Sequence, residues 1–316
     1  MKAVFFEEFG GPEVLQVGNL SPPDLVDGHL LINIHYAGVN PIDWKMRQGI
    51  YGTMFEYQFP IVAGFDYSGT VQAVGQGVTD FAVGDRVNGM NLVEAIHHGT
   101  YAEVTLVPAV AASHFPDGMT FESAAAIPTV ALTANKSLID FGALGMGQSV
   151  LIQAGAGGVG SIAVQLAKQL GATVLTTARA CDLDYVLDLG ADYAIDYESQ
   201  DFVEVCRDHF PKGLDLVVDM IGGETLARGY QTLREGGRMA LLVGQPDRSI
   251  DKQFNVHSEF IFTAPDPKRL NELSAVLAQG TIKLPEIKRI PLSDAVSAQT
   301  ESEAGKVRGK LVLKVR

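Results

Sequence analysis

Cysteine is nearly missing from this 316-residue chain. The two present, Cys181 and Cys206, can pair only once, which excludes a disulfide framework. Two ordinary thiols suit a reducing compartment. Long apolar runs are missing too: no stretch approaches ~18 residues, so no membrane span is expected. The opening MKAVFFEEFGG has neither the apolar core nor the cleavage site of a secretory signal. Positive charge is in deficit, with 24 Lys and Arg against 37 Asp and Glu and a formal net charge of −13. So acidic a chain repels phosphate backbones, which sets nucleic acid aside as a partner. An anionic cofactor would have to be held by local positive features. Biased tracts and repeats are absent, and 47% hydrophobic with 19% charged residues is the composition of a folded protein. The length suits two cores better than one. The expected setting is soluble and cytoplasmic.

Two textures follow one another along the chain. Residues 1 to about 120 are rich in Gly, Pro and short alternating runs. HLLINIHYAGVN (29–40) sets Leu30, Ile32 and Ile34 on one side. GFDYSGTVQAVG (64–75), GDRVNGM (84–90) and GTYAEVTLVP (99–108) are further strands between glycine turns. A small β-rich, barrel-like domain is expected. From Ser123 the pattern changes. Residues 122–142 read as helical, interrupted at Pro128. Strands at 149–154, 172–178, 194–197, 214–223 and 237–244 then alternate with helical stretches, which implies a parallel sheet. In the helix 160–171, Ile162, Leu166 and Leu170 share a face and Gly171 ends it. The tail holds a helix at 266–280 with Asp266 as its N-cap, a second at 293–306 and a strand at 309–315. So hydrophobic a final strand needs a sheet to join, and the N-terminal domain is the expected host.

AGAGGVG (154–160) carries G-x-G-x-x-G as Gly155, Gly157 and Gly160. The pattern alone is weak, but a buried strand precedes it, an amphipathic helix follows and a second strand lies beyond. Small residues let the backbone approach a pyrophosphate, and the helix start offers unpaired N–H groups and the positive end of its dipole. The cofactor is discriminated at the end of the second strand, where NAD sites place an acid about 20 residues after the motif. Here the run is Thr176, Thr177, Ala178, Arg179, with no acid. A guanidinium is a natural partner for the 2′-phosphate of NADP. Asp182 and Asp184 follow closely and leave a ribose-binding acid open.

With these residues in place, the chain resembles the quinone oxidoreductase branch of the medium-chain dehydrogenase/reductase superfamily, which includes the zeta-crystallin-like enzymes. The resemblance runs through GVNPID (38–43) with Arg47 and Gly49, FPIVAGFDYSGTVQAVGQGV (59–78), GDRV (84–87) and GTYAE (99–103). It continues in AAAIPTVALTA (124–134), AGAGGVG, LGADYAIDY (189–197) and GKLVL (309–313). It implies an α/β protein: a Rossmann doubly wound parallel sheet at 125–258 plus a GroES-like β-rich domain at 1–124 completed by 259–316. It also implies NADPH in the cleft between the domains, a homodimer, and a small-molecule quinone or enone substrate.

Many relatives in that superfamily carry catalytic zinc, and here the ligands are missing. Where zinc-dependent relatives have a cysteine stands Asn40, where they have His-Glu stand Phe65 and Asp66, and the four-cysteine structural lobe is absent. Asp66 is read as structural. Without a metal, negative charge developing on the substrate needs other donors. The resemblance places Asn40 and Tyr51 at the nicotinamide and substrate pocket, with Tyr51 either a donor or a pocket wall. Thr129 and Thr133 fall where relatives contact the nicotinamide end, or else pack helices. Gly155, Gly157, Gly158, Val159, Gly160 and Thr177 belong to the phosphate loop, and Arg179 and Tyr197 to the adenosine phosphate. Gly244 follows the fifth strand near the nicotinamide, and Lys310 is either a basic residue near the cofactor or a strand-end charge. His97 and His98 are adjacent, and on an extended chain they point opposite ways, a poor joint metal site. An alcohol dehydrogenase and a non-catalytic NADPH-holding protein stay open as alternatives.

Overall fold

A computed structural model describes residues 1–92 and 95–316. Among them the chain divides into two compact units. The first comprises Met1–Thr129, Ala264–Thr281 and Glu286–Arg316, and the second Val130–Thr263 with Ile282–Pro285.

The first unit is built on a seven-stranded sheet whose longest strand is His29–Val39. Leu30, Ile32 and Ile34 are fully buried along it, as the alternation in sequence requires. It pairs antiparallel with Asp66–Val74, Val104–Pro108 and Lys310–Lys314. The last of these is the apolar tail strand, whose outer neighbour is Ile287–Pro291, in parallel. That neighbour escapes detection in the sequence because it is an edge strand with only Ile290 buried. This sheet and the smaller Lys2–Phe6 sheet form the GroES-like part.

Polar side chains knit the first unit. Arg47, at the end of the helix Pro41–Arg47, is completely enclosed. It donates to Gln299 Oε1 at 2.9 Å, to Glu303 at 2.9 Å and to the Gly10 carbonyl at 3.3 Å. The helix Ala295–Glu303 is thus tied to Pro41–Arg47 through one guanidinium, whose planar fork reaches several acceptors at once.

The second unit holds six parallel strands. Numbered in chain order within the unit, they lie 3-2-1-4-5-6, the Rossmann arrangement. The core is apolar on both faces of the sheet: Leu151, Leu175, Ile195, Val217 and Leu241 are buried on one, and Val150, Ile152, Val174, Leu216 and Val218 on the other. The Pro128 interruption is a break at Ile127 between the helices Phe121–Ala126 and Pro128–Asn135, and a π-helical turn, Lys136–Phe141, follows. Residues 282–285 belong to this unit because Gln165 clips them: its Nε2 donates to the Lys283 carbonyl at 3.0 Å, and its Oε1 accepts from the Lys283 N–H at 2.7 Å. No helix among the described residues is long and apolar enough to cross a membrane.

Arg47→Ala removes three hydrogen bonds from an enclosed site and is expected to cost about 2–3 kcal/mol. Thermal unfolding measures it. Arg47→Lys should recover less than half, because one ammonium cannot span the three acceptors.

Candidate functional site

In the second unit the strand Ser149–Ile152 lies where the strand order reverses, between Thr173–Ala178 and Leu214–Asp219. Ligands of open parallel sheets bind beyond the carboxyl ends of the strands at such a point. The chain leaves the strand there with Ala154 at φ +55°. The Ala154 N–H donates to Thr177 Oγ1 at 3.0 Å, and the Gly155 N–H to the Thr177 carbonyl at 2.9 Å. Thr177 is buried and braces the loop from behind.

The three motif glycines are required for different reasons. A Cβ on Gly155 would lie 2.0 Å from Thr176 Oγ1, and one on Gly160 2.3 Å from the Ala154 carbonyl oxygen. Both are demanded by packing. At Gly157 a Cβ would meet only the Ala154 carbonyl oxygen, at 3.4 Å, so that position leaves room for an approaching group. The helix begins at Gly158, two residues before the sequence pattern suggests, with Gly157 as its cap. The N–H groups of Gly158, Val159 and Gly160 are therefore the open first turn, without intrahelical acceptors. Space, N–H donors and a helix dipole together fit a dinucleotide pyrophosphate.

Arg179 follows the strand Thr173–Ala178. Its Nε and Nη2 both donate to Asp182 Oδ2, at 2.9 and 2.7 Å. Asp182 is buried and raises the guanidinium pKa further, with the nearby Cys181 and Tyr197 adding to the effect. Asp182 is thus engaged by Arg179, and Tyr197, half-exposed, lies within electrostatic reach of the same charge. Gly244 has φ +87°, a backbone state that favours glycine. Thr133 is buried, and its hydroxyl pairs with that of Thr263 at 2.8 Å.

The first unit brings Asn40, Asp66, Thr129 and Lys310 together. Asn40 caps the helix Pro41–Arg47 and is 1% exposed. Its Nδ2 donates to Asp66 Oδ2 at 2.9 Å, and its Oδ1 accepts from Lys310 Nζ. Thr129 donates to Asp66 Oδ1 through its hydroxyl, at 2.6 Å, and directs its backbone N–H at the same carboxylate. Lys310 Nζ is 3.6 Å from Asp66 Oδ2. Lys310 is 3% exposed, so it is not a solvated strand-end charge. Burial lowers its pKa, and Asp66 and Asp43 oppose that effect. The strand alternation alone does not mark Asp66 and Lys310 as partners, because they lie 244 positions apart in the chain.

Beside this group is Asp43, the last residue of GVNPID, which neither spacing nor composition singles out. Its Oδ2 accepts from the Asn40 N–H at 2.8 Å and from the Tyr101 hydroxyl at 2.7 Å, while Oδ1 has no hydrogen-bond partner among the described residues. Burial pushes the carboxyl up to about 7. Tyr51 opens a short turn, Gly52–Met54, and is half-buried. Burial, with the charges of Tyr57 and Asp43, pushes its phenol up to about 12. So weak an acid keeps its proton at neutral pH and acts as a hydrogen-bond donor.

One expectation is corrected. The rings of His97 and His98 do not diverge: their centroids are 4.1 Å apart. The two residues lie beyond the short strand Ala95–Ile96, outside regular extended backbone, and His97 Nδ1 is held by the Gln58 carbonyl at 2.7 Å. Burial and the neighbouring ring push His98 down to about 4. Among the described residues, no three His, Cys, Asp or Glu side chains are grouped to hold a metal ion.

Comparison with known proteins agrees with this architecture. The profile described as "Alcohol dehydrogenase GroES-like domain" matches residues 26–117, and that described as "Zinc-binding dehydrogenase" matches 158–264. The chain is 35% identical over 271 residues to a zebrafish (Danio rerio) synaptic vesicle membrane protein VAT-1 homolog, covering 81% of this chain but only 54% of that protein. It thus spans about half the length of that relative. A tomato (Solanum lycopersicum) 2-methylene-furan-3-one reductase is 32% identical over 99% of this chain and 79% of its own length. The crystal structure of Escherichia coli quinone oxidoreductase complexed with NADPH superposes with a TM-score of 0.88 at 29% identity, covering 100% of both chains.

The raised pKa of Asp43 has a consequence for stability. The folded chain holds the Asp43 proton to about pH 7, whereas an unfolded carboxyl releases it near 3.8. Between those values the folded state binds more protons, so this group's contribution to stability falls as pH rises through the window and levels off above it. Asp43→Asn should flatten the decline by up to about 1.4 kcal/mol per pH unit. Urea unfolding at pH 4 to 8 for both proteins tests this, and parallel curves would refute it.

Proposed function

Since the chain belongs to the medium-chain dehydrogenase/reductase superfamily, in its quinone oxidoreductase branch, we propose that it is an NADPH-dependent oxidoreductase reducing quinones or the C=C bond of α,β-unsaturated carbonyls without zinc. The observation that carries this reading is the glycine loop at the switch point of the second unit, open at Gly157 and at the first turn of its helix. In this reading Gly155, Gly157, Gly158, Val159 and Gly160 hold the pyrophosphate, with Thr177 bracing the loop. Arg179 and Tyr197 serve the 2′-phosphate. Gly244, Thr133, Thr129 and Asn40 serve the nicotinamide end, and Lys310 acts there through Asn40. The expected setting is a homodimer in the cytoplasm.

The zinc-free reading has a positive support. Asn40 and Asp66, at positions where zinc-dependent relatives carry ligands, are both engaged by the ammonium of Lys310. A buried Lys already supplies the compensating charge there.

NADPH, when bound, supplies a hydride from C4 of its nicotinamide to an electron-poor substrate carbon. What this chain then has to provide is a donor for the negative charge that develops on the substrate carbonyl oxygen. Tyr51 qualifies, since its phenol stays protonated well above neutral pH. Such a donor is worth ~3–4 kcal/mol in the transition state. A quinone needs less help, because its reduced form is aromatic.

Two measurements test the reading. NADPH should bind more tightly than NADH, and Arg179→Ala should remove about tenfold of that preference; the effect is at the low end for a charge-assisted contact because Asp182 already shares the guanidinium. Equal wild-type affinities would sink it.

A panel of quinones, enones and aldehydes, followed by NADPH absorbance, tests the chemistry. Tyr51→Phe should slow enone reduction about a hundred- to a thousandfold, slow quinone reduction less, and leave NADPH affinity unchanged. Turnover of aldehydes alone would favour an alcohol dehydrogenase, and tight NADPH binding with no turnover a holding protein.

A further inference from the structure

Asp66 is fully enclosed, yet it gathers the Asn40 amide, the Thr129 hydroxyl and backbone N–H, and the Lys310 ammonium. Lys310, Asn40 and Asp66 are each no more than 3% exposed, whereas Thr129 is only half-buried. Of the four, Thr129 is the one with an edge available to a ligand.

A hydroxyl has a single hydrogen. Two acceptors lie near that of Thr129: Asp66 Oδ1 at 2.6 Å and Met90 Sδ at 3.1 Å. A carboxylate is far the stronger acceptor, and a thioether sulfur a weak one, so the hydrogen goes to Asp66. The Thr129 oxygen then has only lone pairs to offer. Lys310 completes the lock. It donates to Asn40 Oδ1, which turns the Asn40 amide NH2 toward Asp66; burial raises the Asp66 pKa, and the Lys310 charge, together with the Thr129 and Asn40 hydrogen bonds, opposes that rise and favours the ionised carboxylate that takes the Thr129 hydrogen. Without that charge, an enclosed carboxyl would tend to protonate and offer a hydrogen of its own.

We propose that Asp66 and Lys310 are positioning residues that fix Thr129 as a hydrogen-bond acceptor only, so that the cofactor group it meets is a donor, the carboxamide NH2 or a ribose hydroxyl. This rests on the reading that places Thr129 at the nicotinamide end. The polarity is set by the Asp66–Lys310 pair, which itself makes no contact with the cofactor.

The test measures affinities for NADPH, for 2′,5′-ADP as the adenosine half, and for the reduced 3-acetylpyridine analogue of NADPH, which lacks the carboxamide N–H. Thr129→Val should weaken NADPH about tenfold, with Thr129→Ser close to wild type. Asp66→Asn should weaken it similarly, since an amide NH2 can face Thr129 and turn its hydroxyl into a donor. Because Asp66→Asn leaves the Lys310 charge without a carboxylate, the double variant Asp66→Asn with Lys310→Met is measured beside it; it leaves no unpaired charge at this position and should keep the fold. In every variant 2′,5′-ADP should bind as in the wild type, which loss of structure would not allow.

The analogue separates the two donors. If the wild type discriminates against it and Thr129→Val does not, the donor is the carboxamide; equal weakening of both dinucleotides by Thr129→Val assigns a ribose hydroxyl. A double variant that binds NADPH as the wild type does would overturn the proposal while leaving the function intact. A wild type that binds neither NADPH nor 2′,5′-ADP would overturn the function and the proposal with it.

Discussion

A carboxylate without access to water must be given partners by the protein, and Asp66 of the first unit imposes that requirement on everything near it. The register of three strands answers it. Asp66 lies opposite Gly38, and Val39 lies opposite Leu311, so Asn40 reaches the carboxylate from the end of the neighbouring strand and Lys310 from the strand beyond it. Gly38 has to be glycine: a Cβ there would come within 2.9 Å of the Asp66 Cβ and 2.5 Å of the Ala125 carbonyl oxygen. One buried charge thus sets a strand pairing, a glycine and the orientation of an amide.

The same group reaches further through Asp43. Its carboxylate returns to the Asn40 N–H and accepts from Tyr101, which also interacts with Gln299. Gln299 in turn accepts from Arg47. Polar side chains therefore run from Lys310 to Glu303 without leaving the first unit. Networks of this kind are rigid when fully satisfied, and among the described residues Asp43 Oδ1 and Gln299 Nε2 are points at which this one is not.

The second unit solves a different problem, mostly with backbone. A chain of net charge −13 has little general attraction for a polyanion. Its positive features are local. Three N–H groups open the helix Gly158–Gln169, and one guanidinium ends the neighbouring strand, tempered by Asp182. Close packing of Gly155 and Gly160 brings strand and helix near enough for that first turn to sit at the strand's end.

Much of this was legible in the chain itself. Period-two alternation at Leu30, Ile32 and Ile34, the run of strands and helices after Ser149, and the glycines at 155, 157 and 160 are local patterns, and local patterns state the β-rich and Rossmann textures without any knowledge of contacts. The resemblance to known enzymes drew on the same residues. Other features have no local signature. The helix start at Gly158 depends on how Ala154 leaves its strand, the edge strand Ile287–Pro291 on a neighbour 23 residues on, and the meeting of His97 and His98 on irregular backbone. The assembly of Asn40, Asp66, Thr129 and Lys310 spans 270 residues of sequence, and the clip of Gln165 on Lys283 spans 118. Composition and spacing name the residue types that can do chemistry. Which of them are enclosed, which partner each must satisfy, and therefore which hydrogen each has left to offer, is decided only when distant segments pack and water is excluded from between them.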